Sequence, residues 1–164
     1  MKILKELIPY IIIILVVILI RTFIITPVRV SGDSMYDTLE NGDILLLKKY
    51  DKSFDRYDIV VFDINGEQLI KRIIGLPGET IECIDGKIYI NDKEIKDIET
   101  NLITNDFSKV KIPSNHYFVM GDNRPVSNDS RYFGPIDKKN IKGTVSSFVI
   151  FPFSNFGKYK ERIK

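Results

Sequence analysis

The sequence predicts a mainly β protein with one N-terminal transmembrane helix, its antiparallel sheets coiled or partly closed into a barrel. Three features support this fold class: one unbroken aliphatic run near the N-terminus, turn dipeptides between short β-forming runs, and no long amphipathic helical periodicity after residue 26. Coiling or partial closure is the usual way in which such sheets limit their open edges. We expect a membrane anchor over residues 1–26 and a β domain over residues 27–164.

The composition excludes several functional classes. The 164 residues are 44% hydrophobic and 28% charged, which is typical of a folded domain rather than a disordered chain. A single cysteine and a single histidine argue against a disulfide framework, a Cys-rich metal site and a Ser-His-Asp triad. The net charge of +2 is too small for a nucleic-acid footprint. We therefore expect no metal, no cofactor and no nucleic-acid partner.

The N-terminal helix is predicted from an aliphatic segment of membrane-spanning length. Residues 11–20 are all aliphatic, and residues 7–25 are apolar apart from four positions, which are Pro9 in the first turn, Tyr10, Arg21 and Thr22. As a helix these residues would be about 28 Å long, close to the roughly 30 Å hydrocarbon core of a bilayer. We therefore predict a lipid bilayer as a partner.

Two alternatives to an uncleaved anchor have to be weighed. A buried core helix would rarely be aliphatic on every side at a chain terminus. A cleaved leader would fit the basic start at Lys2 and Lys5, but no A-x-A-like site follows the run. The uncleaved anchor is favoured, although basic residues on both sides, including Arg21 and Arg29, leave its orientation open.

The β elements are predicted from two dipeptides typical of type I′ hairpin turns. Asn65-Gly66 and Asp85-Gly86 each separate two runs of β-forming residues. The flanking strands are expected at residues 60–62, 69–74, 80–84 and 87–90, with further strands at 28–30, 44–47, 117–120 and 143–151. We also expect one helical turn at residues 138–142 and a polar surface excursion over residues 97–111.

Three stretches could carry chemistry, although each has a plain structural interpretation. Ser34 lies in a Gly-containing turn, where a serine is usually only a turn residue. Lys71 shares an apolar strand face with its second neighbours, where desolvation would lower its pKa and allow it to accept a proton from a hydroxyl. The plain alternative is a lysine whose stem packs and whose ammonium reaches water. Residues 121–131 form either a polar loop of turns and ion pairs or a scaffold for a catalytic group.

In combination, these stretches resemble the type I signal peptidases, the Ser/Lys membrane proteases that remove leader peptides from exported proteins. The resemblance covers nearly the whole chain and looks like the compact Gram-positive form. It rests on four segments that appear in the family's order behind an N-terminal anchor: SGDSMYDTL at 31–39, GDI at 42–44, KRIIGLPG at 71–78 and GDNRPVSNDSR at 121–131.

The resemblance implies roles for individual residues. Ser34 matches the nucleophile, Lys71 the general base, and Ser127 the hydroxyl that orients the lysine amine. The remaining matches are the charge pairs Asp122 with Arg72 and Asp129 with Arg131, Met35 in the substrate cleft, and the oxyanion positions Ser34 and Gly32.

Two positions depart from the family pattern. Asp37 stands where the family usually has proline, which removes a φ constraint and adds a carboxylate three residues after Ser34. Gly32 stands where some relatives carry a serine that helps to hold the oxyanion, so the second donor would be backbone or water. Losing one such donor without replacement can cost on the order of 3 kcal/mol.

The resemblance implies a plasma-membrane, single-pass serine endopeptidase with a cytoplasmic N-terminus and an extracytoplasmic catalytic domain. Its partners would be secretory preproteins with signal peptides. One alternative is an inactive membrane-tethered relative that acts as a peptide-binding module. A self-cleaving repressor-type protein is disfavoured by the anchor. A further hypothesis is that the aromatic run at 148–153 dips into the bilayer rather than packing in the core.

Overall fold

The aliphatic N-terminal run forms one helix, α1 (Lys2–Phe23), as predicted. Glu6–Phe23 is long and apolar enough to cross a membrane, and none of it is buried in the protein. A helix that is apolar on every side and exposed along its length is typical of a membrane span. The computed structural model describes residues 2–50, 53–97 and 103–151, with backbone alone for residues 2–5 and 146–151.

The rest of the described chain is mainly β and forms two antiparallel sheets, which confirms the predicted fold class. Neither sheet closes on itself within the described residues: the larger runs β1-β2-β11-β3-β4-β9-β10 and the smaller β7-β6-β5-β8. In chain order, the strands are β1 (Ile25–Arg29), β2 (Ile44–Lys48), β3 (Ile59–Ile64), β4 (Glu67–Gly75), β5 (Thr80–Ile84), β6 (Lys87–Ile90), β7 (Lys93–Glu94), β8 (Phe107–Lys111), β9 (His116–Met120), β10 (Ile136–Asp137) and β11 (Ile141–Phe151).

Both predicted hairpins form with the expected turns. Asn65 and Gly66 have φ values of 52° and 83°, and Asp85 and Gly86 have φ values of 52° and 77°. Positive φ at both central residues gives the turn the twist that a tight hairpin needs. The register follows directly, with Ile64 opposite Glu67 in the first hairpin.

Three apolar clusters hold the sheets. One lies under the turn after β1 and includes Leu39, Leu45 and Val61. A second lies between β3, β4 and β9. The third joins the two sheets, because Ile74 and Phe118 of the larger sheet pack with Ile81 of the smaller one.

The expected surface excursion over residues 97–111 is wrong in its second half. Residues 107–111 form β8, which pairs with β5. Phe107 stacks on Phe118 with ring centroids 5.6 Å apart, and Val110 packs against the third cluster. The polar residues between and around them hid a strand that buries only one face.

Several short elements complete the fold. The helical turn predicted at 138–142 is a 3-10 turn at Lys138–Asn140, and a one-turn helix α2 (Ser130–Phe133) follows the polar loop. The aromatic run at 148–153 lies in β11 as far as Phe151, but its side chains lie outside the described residues, as do positions 152 and 153. Its relation to a membrane stays a prediction.

Candidate active site

Ser34 lies on a tight turn between β1 and β2. The Met35 carbonyl accepts hydrogen bonds from the Thr38 and Leu39 N–H groups at 3.1 and 2.7 Å, which folds the chain back after the serine. Leu39 is fully buried and fastens this turn to the core beneath it. The Ser34 hydroxyl therefore stands on a turn that packing and backbone bonds both support.

Lys71 brings its amine from β4 to the Ser34 hydroxyl. Lys71 lies opposite Val60 of β3 and is only 3% exposed. Its Nζ lies 2.7 Å from Ser34 Oγ and donates to the Ile70 carbonyl at 3.1 Å. Burial lowers the pKa of Lys71 below its ordinary value of 10.5, and the nearby Asp129 and Asp122 oppose this shift by favouring the ammonium form. The geometry is that of a nucleophile and a base within hydrogen-bond reach.

The loop after β9 closes over the turn that carries Ser34. The Asn123 N–H donates to the Ser34 carbonyl at 3.1 Å, and Asn123 Nδ2 donates to the Asp33 carbonyl at 3.0 Å. Ser127 is 3% exposed, and its Oγ is a buried polar atom without a hydrogen-bond partner among the described residues. A buried hydroxyl without a partner is costly and unusual in a folded protein.

Two buried ion pairs fix this loop and the strand that carries Lys71. Arg72 Nε and Nη2 donate to the two Asp122 carboxylate oxygens at 2.9 and 2.5 Å, and both side chains are almost fully buried. Asp129 receives Arg131 Nε at 2.8 Å and also the Gly121 N–H at 2.9 Å. Removing one partner of such a pair costs about 3–5 kcal/mol, because an unpaired charge stays buried.

The structure adds a third pair that the sequence reasoning missed. Arg124 Nη2 donates to Asp97 Oδ1 at 2.7 Å, Nη1 donates to Thr104 Oγ1 at 2.6 Å, and Nε donates to the Gly121 carbonyl at 3.1 Å. Arg124 is 1% exposed. Arg124 therefore ties the loop after β9 to the chain segment between β7 and β8. Only the position of Arg124 inside the loop motif could have suggested this role, because its partners lie far away in sequence.

Two residues expected at the site have surroundings that the sequence did not show. The Gly32 N–H donates to Asn41 Oδ1 at 3.2 Å, so this backbone donor is already engaged. Met35 is 2% exposed and packs in the first apolar cluster. Its side chain turns inward because the turn after Ser34 directs it towards Leu39 and Leu45.

The remaining titratable candidates lie apart from Ser34 and Lys71. His116 begins β9, and its Nδ1 contacts the Ser114 carbonyl at 3.0 Å. Cys83 packs in the cluster between the sheets, where burial raises the pKa of its thiol to about 11. Among the described residues, no group of three or more His, Cys, Asp or Glu side chains is arranged to hold a metal ion.

Comparison with known proteins identifies the family to which this chain is similar. Residues 4–150 match the model of the family described as signal peptidase, peptidase S26. Signal peptidase I S of Bacillus subtilis strain 168 is 45% identical, over 86% of this chain and 85% of the relative. Signal peptidase I of Bacillus licheniformis is 42% identical, over 90% of this chain and 88% of the relative.

A solved structure shows the same class of fold. The crystal structure of a signal peptidase I from Enterococcus faecalis V583 superposes with a TM-score of 0.52 at 36% sequence identity. The match covers 57% of this chain and 97% of that one. The fold and the sequence matches define a peptidase, and the chain belongs to the signal peptidase family, peptidase S26.

The first prediction concerns the stability cost of the buried amine. Because the folded chain lowers the pKa of Lys71, the unfolded chain binds more protons between that lowered pKa and 10.5, and stability rises with pH across this interval. We expect Lys71→Met to be more stable than the parent at neutral pH, with a difference that shrinks as the pH approaches 10.5. Thermal unfolding over a pH series tests this. Ser34→Ala, which keeps the amine, should retain the parent's pH dependence; an unchanged pH dependence in Lys71→Met would contradict it.

The second prediction concerns the closest packing at the site. A Cβ at Gly121 would overlap Ser127 Oγ and the Ser34 carbonyl, so Gly121→Ala must push the two serines apart. A misplacement of about 1 Å can cost about hundredfold in rate, so we expect a loss of that order in kcat. Gly75→Ala, which meets Ile112 in the core instead, should lower the unfolding temperature while the folded fraction keeps its activity. Equal activity per folded molecule in both variants would refute the argument.

The third prediction concerns Asp37, whose φ of 83° places it in the left-handed region. Proline cannot adopt this φ, so Asp37→Pro must rebuild the turn after Ser34, at a cost of more than about 1 kcal/mol. Glycine adopts it freely, so Asp37→Gly should be more stable and more active than Asp37→Pro. Peptide cleavage and thermal unfolding of the two variants compare them directly. A proline variant as stable and active as the glycine variant would show that this conformation is not required.

Proposed function

We propose that the chain is a membrane-bound serine endopeptidase that removes N-terminal signal peptides from exported preproteins, with Ser34 as nucleophile and Lys71 as general base. The observation that carries the assignment of residues is the 2.7 Å separation of Lys71 Nζ and Ser34 Oγ at a buried amine. Family membership supports the reaction class. A neutral amine at this distance can do the work that histidine does in a Ser-His-Asp triad.

The reaction proceeds through an acyl-enzyme. Ser34 Oγ attacks the carbonyl carbon of the scissile peptide bond while Lys71 Nζ takes the hydroxyl proton. The C–N bond then breaks, and the Lys71 ammonium gives that proton to the leaving amine. Water attacks the Ser34 ester, Lys71 accepts its proton, and the proton returns to Ser34 Oγ as the ester bond breaks.

The charge that develops on the carbonyl oxygen requires a hydrogen-bond donor. The Ser34 N–H has no acceptor among the residues that the structure describes, so it is available to the oxyanion. The Gly32 N–H is engaged by Asn41, and we therefore assign the first oxyanion donor to Ser34. The second donor is water or a backbone group that substrate binding releases from its present partner.

Ser127 is proposed to orient the Lys71 amine. Its hydroxyl is buried, unsatisfied and held by the backbone bond from its N–H to the Asn123 carbonyl at 3.1 Å. A hydroxyl that meets the amine would satisfy itself and restrict the rotation of the lysine end. The pairs Asp122–Arg72 and Asp129–Arg131 would hold this loop and the strand of Lys71 in register.

The substrate is proposed to bind as an extended strand. β1 pairs only with β2 in the described sheet and so forms one of its edges, from which the chain runs directly to Ser34. An edge strand offers free backbone donors and acceptors to a peptide. Small pockets beside the cut would accept Ala-like residues.

The cellular placement follows the same proposal. Residues 1–26 would anchor the chain in the plasma membrane with a cytoplasmic N-terminus, and residues 27–164 would form the extracytoplasmic catalytic domain. The apolar helix supports the anchor. The partners are then the lipid bilayer and secretory preproteins. Nothing in the structure favours the inactive binding module, since Ser34 and Lys71 are both present and in contact.

Incubation of the purified full chain with a preprotein tests the assignment. We expect Ser34→Ala and Lys71→Ala each to lower cleavage by at least about a thousandfold, because the two residues act as one unit. In the parent, kcat/KM should rise with pH as Lys71 loses its proton, through a pKa below 10.5.

Two control measurements sharpen this test. Lys109→Ala removes a lysine that is paired on the surface with Glu82 and should cleave normally. Mass spectrometry of a stalled reaction should place the acyl group on Ser34. Near-normal cleavage by Lys71→Ala would remove Lys71 from the mechanism.

A further inference from the structure

The anchor helix joins the larger sheet without a flexible linker. α1 ends at Phe23 and β1 begins at Ile25. The Ile24 N–H still donates to the Ile20 carbonyl at 2.9 Å, while the Ile24 carbonyl already accepts from the Lys49 N–H at 3.0 Å. The residue between the two elements therefore belongs to the hydrogen bonding of both.

Two side chains, one in β1 and one directly after β2, donate further hydrogen bonds to the end of the helix. Thr26 Oγ1 donates to the Arg21 carbonyl at 2.8 Å, and Lys49 Nζ donates to the Thr22 carbonyl at 3.2 Å. The last carbonyls of a helix lack partners within it, and a cation near them is favoured by the helix dipole. Thr26 in β1 and Lys49 directly after β2 thus bind the end of α1, and we call these contacts the anchor clamp.

We propose that the anchor clamp holds the catalytic domain at one orientation and height above the bilayer, so that Thr26 and Lys49 are positioning residues for membrane-inserted preproteins. The inference rests on the proposed function. Strand β1 has five residues, which at roughly 3.3 Å each sets the active-site turn about 17 Å beyond the end of the anchor. A preprotein held in the same bilayer presents its cut site at a height set by its own apolar segment. The clamp therefore selects preproteins whose cut site matches this height.

A flexible tether would act differently. It would let the active site sample many heights and orientations, which lowers the effective concentration of the site at any one of them. A soluble peptide meets the site from any direction, so the clamp contributes nothing to its cleavage. The ratio of preprotein cleavage to peptide cleavage therefore separates the effect of the anchor clamp from any effect on the reaction itself.

The experiment uses the full chain in vesicles of phosphatidylglycerol and phosphatidylethanolamine. Three forms are compared with the parent: Lys49→Met, a Gly-Ser-Gly insertion between Phe23 and Ile24, and Lys48→Met as a control that removes the neighbouring charge at the end of β2. Each is given a membrane-inserted preprotein and a soluble peptide with the same cut site. A series of preproteins with the cut site moved outward by one to six residues measures the dependence on height.

We expect the insertion to lower cleavage of the membrane-inserted preprotein about tenfold and Lys49→Met about threefold, with peptide cleavage within about twofold of the parent. The parent and Lys48→Met should cleave best at one position of the cut site, whereas both clamp variants should show a broader optimum. A broader optimum is a change that simple loss of stability would not produce.

Two outcomes overturn the proposal. One is equal loss on peptide and preprotein, which shows that the substitutions act on the active site. The other is an unchanged height dependence in both clamp variants, which shows that the end of the helix does not orient the domain. Failure of the proposed function is seen separately, as peptide cleavage that Ser34→Ala does not abolish.

Discussion

The structure depends on keeping one lysine amine away from water and next to one hydroxyl. In water the Lys71 amine would be almost fully protonated at neutral pH and useless as a base. The two-sheet fold removes it from solvent on β4 and directs it at Ser34, which comes from a turn 37 residues earlier in the chain. The proposed mechanism needs both burial and proximity, because a buried amine without a nearby hydroxyl has nothing to activate and a solvated, protonated amine has no free lone pair.

The charges around the amine set how far its pKa falls. Asp129 and Asp122 favour the ammonium, and each is held by an arginine, Arg131 and Arg72. Each guanidinium forms strong, charge-assisted hydrogen bonds with its carboxylate and so holds the loop in place. The pairs thus serve geometry and electrostatics together, and the site carries buried charge that a purely apolar core of the same volume would not.

The contacts between the serine turn and the loop after β9 explain why so many small polar residues cluster there. Gly121 lets Ser127 and the Ser34 backbone approach each other more closely than any side chain would allow. Arg124 reaches from the same loop to Thr104 and Asp97, so the segment between β7 and β8 is tied to the loop. These contacts help to hold the loop after β9 in position.

The amino-acid sequence by itself determined the local features: the apolar anchor, the two type I′ hairpins, the strand of Lys71 and the turn of Ser34. Each depends on side-chain periodicity or on a turn residue's φ preference, which act over a few residues. The motif segments at 71–78 and 121–131, by resemblance, also paired Arg72 with Asp122 and Arg131 with Asp129, which the structure shows in contact. Strand β8 escaped prediction because its polar residues hid it and its pairing with the distant β5 makes it a strand. The distance from Lys71 to Ser34, the engagement of Gly32 by Asn41, the inward turn of Met35, the Arg124 contacts and the anchor clamp were decided only by tertiary structure. Most of them join residues that are not neighbours in the chain, and no local preference specifies which of these groups will meet.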